Sequence, residues 1–295
     1  MTADALPLGV MVSEPRADYT LVDSGNGRKL ERYGPYQFIR PEAQALWKPA
    51  TDNWQADGEF IPGSDEDGGG KWHFKRPVPE EGWPLEWDGI KFNAHCTPFR
   101  HLGYFPDMDP VWRWMRGQLE SVAAPEAMNL FGYTGMGTLA LSASGAKMVH
   151  VDASKKSVQA ARSNAALAGM TDRPVRWIID DAVKFTAREV RRERRYDGIL
   201  LDPPKYGRGP DGEVWRLEEG LPGLIADCRQ LLDEKSRFLF LTVYAVRMSS
   251  LAIGELVRGH FADLGGKVEV GELAVREEAR GLLLPTAIFA RWSAD

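Results

Sequence analysis

The chain is poor in cysteine and has no long apolar run. Two cysteines, Cys96 and Cys228, stand among 295 residues, too few and too far apart for a disulfide framework or a zinc cluster. The five histidines, His73, His95, His101, His150 and His260, show no metal-binding spacing either, so no metal is expected. No apolar stretch approaches the roughly 20 residues that cross a bilayer. The start, Met1-Thr-Ala-Asp-Ala-Leu6, is not the basic-then-apolar pattern of a secretory signal. No membrane association is expected, and the cytoplasm is the expected compartment. Positive charge is not in excess: a formal net charge of -5 excludes a protein that clings to nucleic acid over its whole surface.

What is present is an ordinary globular composition, 43% hydrophobic and 27% charged, long enough for two domains. Residues 1–118 hold 13 basic and 18 acidic side chains, whereas residues 119–295 hold 24 of each. Seven of the ten tryptophans also lie in the first part, at 47, 54, 72, 83, 87, 112 and 114. A β-rich N-terminal domain over 1–108 and a second domain over 109–295 are therefore expected. In the first, Tyr19–Val22, Lys29–Tyr33 and Tyr36–Arg40 read as strands around the turn Asp23-Ser-Gly-Asn-Gly27. Pro62–Gly70, with four glycines and no apolar residue, reads as a mobile surface loop. Leu85–Phe92 and Arg100–Phe105 read as a further hairpin. Tryptophan at this density is expected to build a small core.

From about residue 111 the period changes. Helices are expected over 111–123, 138–144, 155–168, 182–194, 220–232 and 251–264. Strands are expected over 127–131, 148–151, 175–179, 198–201, 238–244, 268–273 and 287–292. This alternation is that of an α/β fold, a doubly wound, mostly parallel, seven-stranded sheet with helices on both faces. Ligands bind such sheets at the carboxyl ends of the strands, where strand order reverses.

Four strand ends carry unusual residues. After the first comes Asn129-Leu-Phe-Gly-Tyr-Thr-Gly-Met-Gly-Thr138, where Gly135 and Gly137 are expected to let the backbone approach a ligand. After the second, 17 residues beyond Gly135, Asp152 is placed to accept hydrogen bonds from a ribose diol; capping the next helix is the alternative. After the third, Asp180-Asp181 offers a carboxylate to an adenine amine, again with a helix cap as the alternative. The fourth ends in Asp202-Pro-Pro-Lys-Tyr-Gly207. Two consecutive prolines hold the backbone rigid, and their carbonyls are expected to remain as acceptors beside Asp202, suiting a nucleobase amine or a cofactor ammonium.

The Asn-Leu-Phe-Gly-Tyr-Thr-Gly and Asp-Pro-Pro-Lys-Tyr runs together resemble those of the class I S-adenosylmethionine-dependent methyltransferases. The nearest resemblance is to the group of large-subunit ribosomal RNA methyltransferases that make 5-methylcytosine and 7-methylguanine. Arg100-His-Leu-Gly-Tyr-Phe-Pro-Asp107 and Leu284-Pro285 leading to Ile288–Trp292 are also similar, so the resemblance spans about residues 89–295. It implies a Rossmann-like fold and S-adenosylmethionine as cofactor. Phe131, Tyr133, Thr134, Gly135 and Gly137 would wrap its methionine part. Asp152, with Ala153 and Ser154, would lie at the ribose, and Asp181 with Ala182 at the adenine. Asp202 would meet the cofactor's amino group or the acceptor beside Pro203 and Pro204. Phe105 and Asp107 would close the pocket from the hairpin side.

The chain departs from that group in one respect. Methylation of cytosine carbon 5 needs a nucleophilic cysteine after the fifth strand, yet Phe238-Leu-Phe-Leu-Thr-Val-Tyr-Ala-Val-Arg247 has none. Cys228 and Cys96 are expected to be structural. A nitrogen of an RNA base, in ribosomal RNA, is therefore the expected acceptor, with Tyr206 able to stack on an unstacked base. A protein or small-molecule acceptor is the alternative. Gly135-Met-Gly-Thr-Leu-Ala140 also satisfies the Gly-x-Gly-x-x-Ala pattern of nicotinamide-dependent oxidoreductases, and a silent RNA-binding module on the same scaffold is a third reading. Arg188, Arg191, Arg192, Arg194 and Arg195, diluted by Glu189 and Glu193, read as a solvated face rather than an RNA patch.

Overall fold

The computed structural model describes residues 5–63, 69–244 and 247–295; the centre of the loop read at 62–70 and residues 245–246 lie outside the described residues. In chain order the strands are β1 Leu8–Ser13, β2 Tyr19–Gly25, β3 Arg28–Tyr33, β4 Tyr36–Pro41, β5 Gly58–Pro62, β6 Gly70–Phe74, β7 Trp83–Trp87 and β8 Ile90–Ala94. There follow α1 Asp109–Leu119, β9 Glu126–Leu130, α2 Met136–Ala143, β10 Lys147–Asp152, α3 Lys155–Leu167, β11 Val175–Ile179, α4 Ala182–Arg191 and β12 Gly198–Leu201. The remainder is β13 Tyr206–Arg208, β14 Val214–Arg216, α5 Leu217–Gln230, β15 Phe238–Tyr244, α6 Ser250–Phe261, β16 Lys267–Arg276 and β17 Leu283–Ser293.

The chain forms two compact units. One takes the described residues up to Met11, Val111–Leu273 and Ala287–Asp295; the other takes Val12–Pro110 and Ala274–Thr286. In the first, the sheet runs β1-β16-β17-β15-β12-β9-β10-β11. The pairs β15–β12, β12–β9, β9–β10 and β10–β11 are parallel, and β17 is antiparallel to β15. The seven expected strands are all there. An eighth, β1, adds to the edge; Leu8-Gly-Val-Met-Val12 is a short apolar run not expected to be a strand, and its residues are exposed or half-buried. All four residues of β12 are buried, as are six of seven in β15. Such continuous apolar runs are what a parallel strand covered on both faces requires. The chain builds β9, β10 and β11 outward on one side and returns to place β12 on the other side of β9. Strand order thus reverses between β9 and β12, the position where such sheets bind ligands.

The second unit holds a five-stranded sheet, β2-β3-β4-β5-β6, and the β7–β8 hairpin. Trp54, Trp83 and Trp87 are buried in its core, and Trp47 and Trp72 are half-buried. The indole N–H groups of Trp47, Trp54, Trp72, Trp83 and Trp87 donate to Ser24, Asp23, the Thr97 carbonyl, the Tyr33 carbonyl and Asp109. Buried Arg40 holds buried Glu31 through Nε and Nη2, both at 2.7 Å, and Tyr19 donates to the same carboxylate at 2.9 Å. The Arg100–Phe105 hairpin expected from sequence is corrected. The hairpin turns at Asp88-Gly89, where both residues are left-handed, and Arg100–Phe105 forms no strand. Thr97 Oγ1, donating to the His101 carbonyl at 2.8 Å, and the His95 N–H, donating to the Leu102 carbonyl at 3.2 Å, hold that segment instead.

Candidate active site

Backbone hydrogen bonds stitch the four strand ends side by side. The Gly132 N–H donates to Val151 O (3.0 Å), the Asp180 N–H to Asp152 O (3.2 Å) and the Asp202 N–H to Leu130 O (3.4 Å). The loops after β9, β10, β11 and β12 therefore share one edge of the sheet.

The loop after β9 turns sharply, with left-handed Phe131 (φ 58°), Tyr133 (φ 47°) and Gly135 (φ 87°). Left-handed backbone is unfavourable for aromatic residues and persists where the surroundings over-determine it. Here Asp152 supplies the clamp: its Oδ2 accepts from the Tyr133 N–H at 2.9 Å and its Oδ1 from the Ser154 N–H at 2.8 Å. Ser154, not Asp152, caps α3, its Oγ accepting from Ser157 N–H at 3.2 Å. The capping alternative for Asp152 therefore falls away. Burial raises the Asp152 pKa despite these two bonds, and burial with Asp152 alongside pushes the Tyr133 phenol up.

The glycines are explained by the protein itself. A Cβ on Gly135 would lie 2.8 Å from the Ala161 Cβ of α3. One on Gly137 would lie 2.8 Å from Leu200 Cδ2 and 3.3 Å from both Asn129 Nδ2 and Trp112 Nε1. Close helix–sheet packing accounts for the missing side chain at both, and at Gly135 the left-handed φ does so as well. Buried Thr134 gives its carbonyl to Asn164 Nδ2 at 2.9 Å.

Asp181 is the cap of α4, Oδ1 accepting from the Lys184 N–H at 2.9 Å, so its helix-capping alternative is realised. The carboxylate can still accept a further donor through Oδ2, because one carboxylate offers about four lone-pair sites. Ala182 is buried beside it. Asp202 accepts at Oδ1 from Thr242 Oγ1 at 2.6 Å, a partner from the end of β15. The expectation of bare carbonyls at the double proline is corrected for Pro204: its carbonyl accepts from Trp215 Nε1 at 2.7 Å. Trp215 also packs on the Phe131 ring, centroids 5.2 Å apart. It sits on the β13–β14 hairpin, which leaves Tyr206 exposed.

Cys228 lies fully buried on α5, and burial pushes its thiol well up. Half-buried Cys96 belongs to the second unit, its thiol pushed up to about 12 by burial. Phe105 and Asp107 also belong to that unit, where buried Asp107 accepts from Thr286 Oγ1 at 2.7 Å. Of the arginine run, Arg188 pairs with Asp180, Arg194 with Glu126 and Arg192 with buried Glu189. Among the described residues no cluster of three or more His, Cys, Asp or Glu side chains can hold a metal, and no helix is long and apolar enough to cross a membrane.

Sequence reasoning missed Thr242 and Trp215, which contact Asp202 and Pro204 from 40 and 11 residues away. It also missed the buried row beneath the β9 loop. There Asn129 Nδ2 donates to Thr138 Oγ1 at 3.0 Å, and Thr138 Oγ1 bonds His150 Nδ1 at 2.9 Å. The alternation that puts Asp152 at the strand end puts His150 inside the core, where its pKa is pushed down to about 3 by burial.

Comparison with known proteins agrees with this geometry. A family model described as S-adenosylmethionine-dependent methyltransferase matches residues 65–231. A crystal structure of a SAM-dependent methyltransferase from Agrobacterium tumefaciens is 42% identical, with a TM-score of 0.92, covering 100% of this chain and 97% of that one. Among curated proteins, ribosomal RNA large subunit methyltransferase I of Aeromonas salmonicida is 30% identical over 44% of this chain and 32% of its own. Ribosomal RNA large subunit methyltransferase K/L of Vibrio cholerae is 26% identical over 52% and 21%. The chain thus spans about a third or less of the length of these curated relatives. The family match also decides between the two readings of the Gly135–Ala140 pattern, against the oxidoreductase. On this evidence the chain belongs to the S-adenosylmethionine-dependent methyltransferases, as an enzyme with that cofactor.

Proposed function

We propose that the enzyme methylates a nitrogen of an RNA base, in ribosomal RNA. The residues present fit the cofactor. S-Adenosylmethionine carries donors in three places, the ribose diol, the adenine amine and the ammonium. The strand ends present three acceptors, Asp152, Asp181 and Asp202. Asp152 holds one backbone N–H on each oxygen, which leaves a further lone pair on each for the diol. In this reading Phe131, Tyr133, Thr134, Gly135 and Gly137 form the cradle of the methionine part, Ala153 and Ser154 flank the ribose, and Ala182 lies at the adenine.

When bound, the cofactor supplies an activated methyl group on a sulfonium. The chain then needs to align the acceptor lone pair and take up a proton. Thr242 holds Asp202 through its 2.6 Å bond, fixing the carboxylate that accepts the hydrogen bond, and then the proton, of the acceptor amine. Pro203 and Pro204 keep that carboxylate's loop rigid, and Tyr206 is the stacking surface for the base.

The observation that carries nitrogen over carbon 5 is the end of β15, where Thr242 stands against Asp202 and the run 238–247 carries no cysteine. Cys228 is fully buried on α5, and burial holds both thiols of the chain protonated, so neither supplies the thiolate that attack on cytosine would use. RNA as acceptor is supported by the names of the curated relatives and by the exposed aromatic beside the Asp-Pro-Pro turn. The test is transfer of tritium from labelled cofactor, offered ribosomal RNA, total protein and small-molecule extract separately. Label in RNA that digests to an N-methylated nucleoside is expected. Label only in protein or small molecules, or in 5-methylcytosine, overturns the proposal.

A further inference from the structure

We infer that the outward face of the β13–β14 hairpin is a grip for single-stranded RNA, with one base stacked on Tyr206 and phosphates held by Arg208 and Arg216. This deepens the RNA proposal and rests on it. The register pairs Tyr206 with Arg216, Gly207 with Trp215 and Arg208 with Val214. Opposed residues share a face, and successive residues switch faces. One face therefore carries Tyr206, Arg208, Val214 and Arg216, and all four are exposed. The other carries Gly207 and buried Trp215. Such a short two-stranded ribbon is marginal by itself in water.

Three anchors on the inner side hold it. Trp215 Nε1 donates to the Pro204 carbonyl, its ring packs on Phe131, and Glu213 pairs with Lys184 in the first turn of α4. Gly220 makes room for that ring, since a Cβ there would lie 2.5 Å from it.

The chemistry of the face selects its occupant. A guanidinium forks onto phosphate oxygens, and an exposed ring beside it stacks on a base whatever the sequence. Bases are available for stacking in unpaired RNA and not inside a helix. The acid nearest Arg216 is Glu219, at 3.3 Å with both side chains mostly exposed; such a pair contributes little and yields readily to a phosphate. Exposed Lys205 adds a further cation beside Tyr206. Asp211 and Glu218 are exposed on the same segment as Glu219, so Arg208 and Arg216 act by direct contact with phosphates rather than through a net local charge.

The test measures binding of a short fluorescein-labelled single-stranded RNA of mixed sequence to the full chain by anisotropy, over a salt series, with S-adenosylhomocysteine present. Arg208→Ala with Arg216→Ala is expected to weaken binding and to reduce the slope of log K against log salt by about 1.4, at roughly 0.7 per phosphate contact. Arg208→Lys with Arg216→Lys restores most of the slope. Tyr206→Ala is expected to weaken binding about ten- to a hundredfold with the slope unchanged, and Tyr206→Phe to keep affinity. Calorimetric binding of S-adenosylhomocysteine stays at the wild-type value in every variant, which shows that the fold is intact. If the wild type binds and methylates RNA but the substitutions leave affinity and slope unchanged, the grip is overturned while the RNA proposal stands. If the wild type neither binds nor methylates RNA, both fall.

Discussion

Replacing Asp152 by Asn separates a cofactor-binding role from a structural one. The carboxylate accepts the Tyr133 N–H at 2.9 Å and the Ser154 N–H at 2.8 Å, one on each oxygen. An amide of the same shape keeps one acceptor oxygen and turns its NH2 towards the other N–H. The variant thus loses one clamp bond and at least one charge-assisted bond to the ribose diol. A hydrogen bond to a charged group contributes about 1.5–3 kcal/mol. At about 1.4 kcal/mol per tenfold change, the Kd for S-adenosylhomocysteine rises by about ten- to a hundredfold.

Stability moves differently. Burial raises the Asp152 pKa above its ordinary value. A carboxyl whose folded pKa lies above its unfolded one gives its full contribution at low pH and loses it as pH rises through the folded value. At neutral pH the buried anion therefore costs the apo protein stability, and removing it offsets the lost clamp bond. Calorimetric titration and urea unfolding of the apo protein should accordingly diverge, with affinity falling and unfolding free energy nearly constant. An unchanged Kd, or a loss of several kcal/mol in the apo protein, refutes the reasoning.

Three further predictions concern the same edge of the sheet. Thr242→Val removes the 2.6 Å donor to Asp202; kcat/KM is expected to fall about tenfold, on the scale of a hydrogen bond to a charged group, while Thr242→Ser keeps the donor and the rate. Gly135→Ala combines a left-handed φ with a Cβ 2.8 Å from Ala161, whereas Gly145→Ala has a left-handed φ and nothing within 4 Å; the first should lose about 1–3 kcal/mol more in urea unfolding. His150, with its pKa pushed down to about 3, stays neutral in the folded chain while an unfolded histidine protonates near 6.5. The unfolded state then binds the extra proton, so stability falls as pH drops from about 6.5 towards 3, and His150→Asn should remove one proton from that slope between pH 7 and 5.

The alternation of helices and strands from residue 127 to 244 was legible because parallel strands buried on both faces must be continuous apolar runs, as Gly198–Leu201 and Phe238–Tyr244 are. Asp202 was legible because it follows such a run, and Asp152 and Asp181 because each stands between a strand pattern and a helix pattern. The edge strand Leu8–Ser13 was not, because Leu8-Gly-Val-Met-Val12 is a short run broken by a glycine, and periodicity alone does not assign so short an apolar run. Nor was the fate of Arg100–Phe105, because Asp88 and Gly89 close the hairpin before the chain reaches it. Gly135 and Gly137 were found as a motif, and the packing adds a reason the sequence could not show: Ala161, Leu200 and Trp112 occupy the space a Cβ would take. Thr242 could be matched to Asp202 only through the β12–β15 register, in which Leu201 opposes Leu241. Local pattern exposes the elements, and long-range pairing decides which polar groups meet at their ends.

The central claim is methylation of an RNA base nitrogen, and the most direct measurement is of the nucleosides themselves. Ribosomal RNA from cells with and without the protein is digested and its modified nucleosides are compared by mass spectrometry. The account predicts that one N-methylated nucleoside disappears with the protein and returns when the wild-type chain, but not Asp202→Ala, is restored. An unchanged set of nucleosides, or the loss of 5-methylcytosine instead, contradicts it.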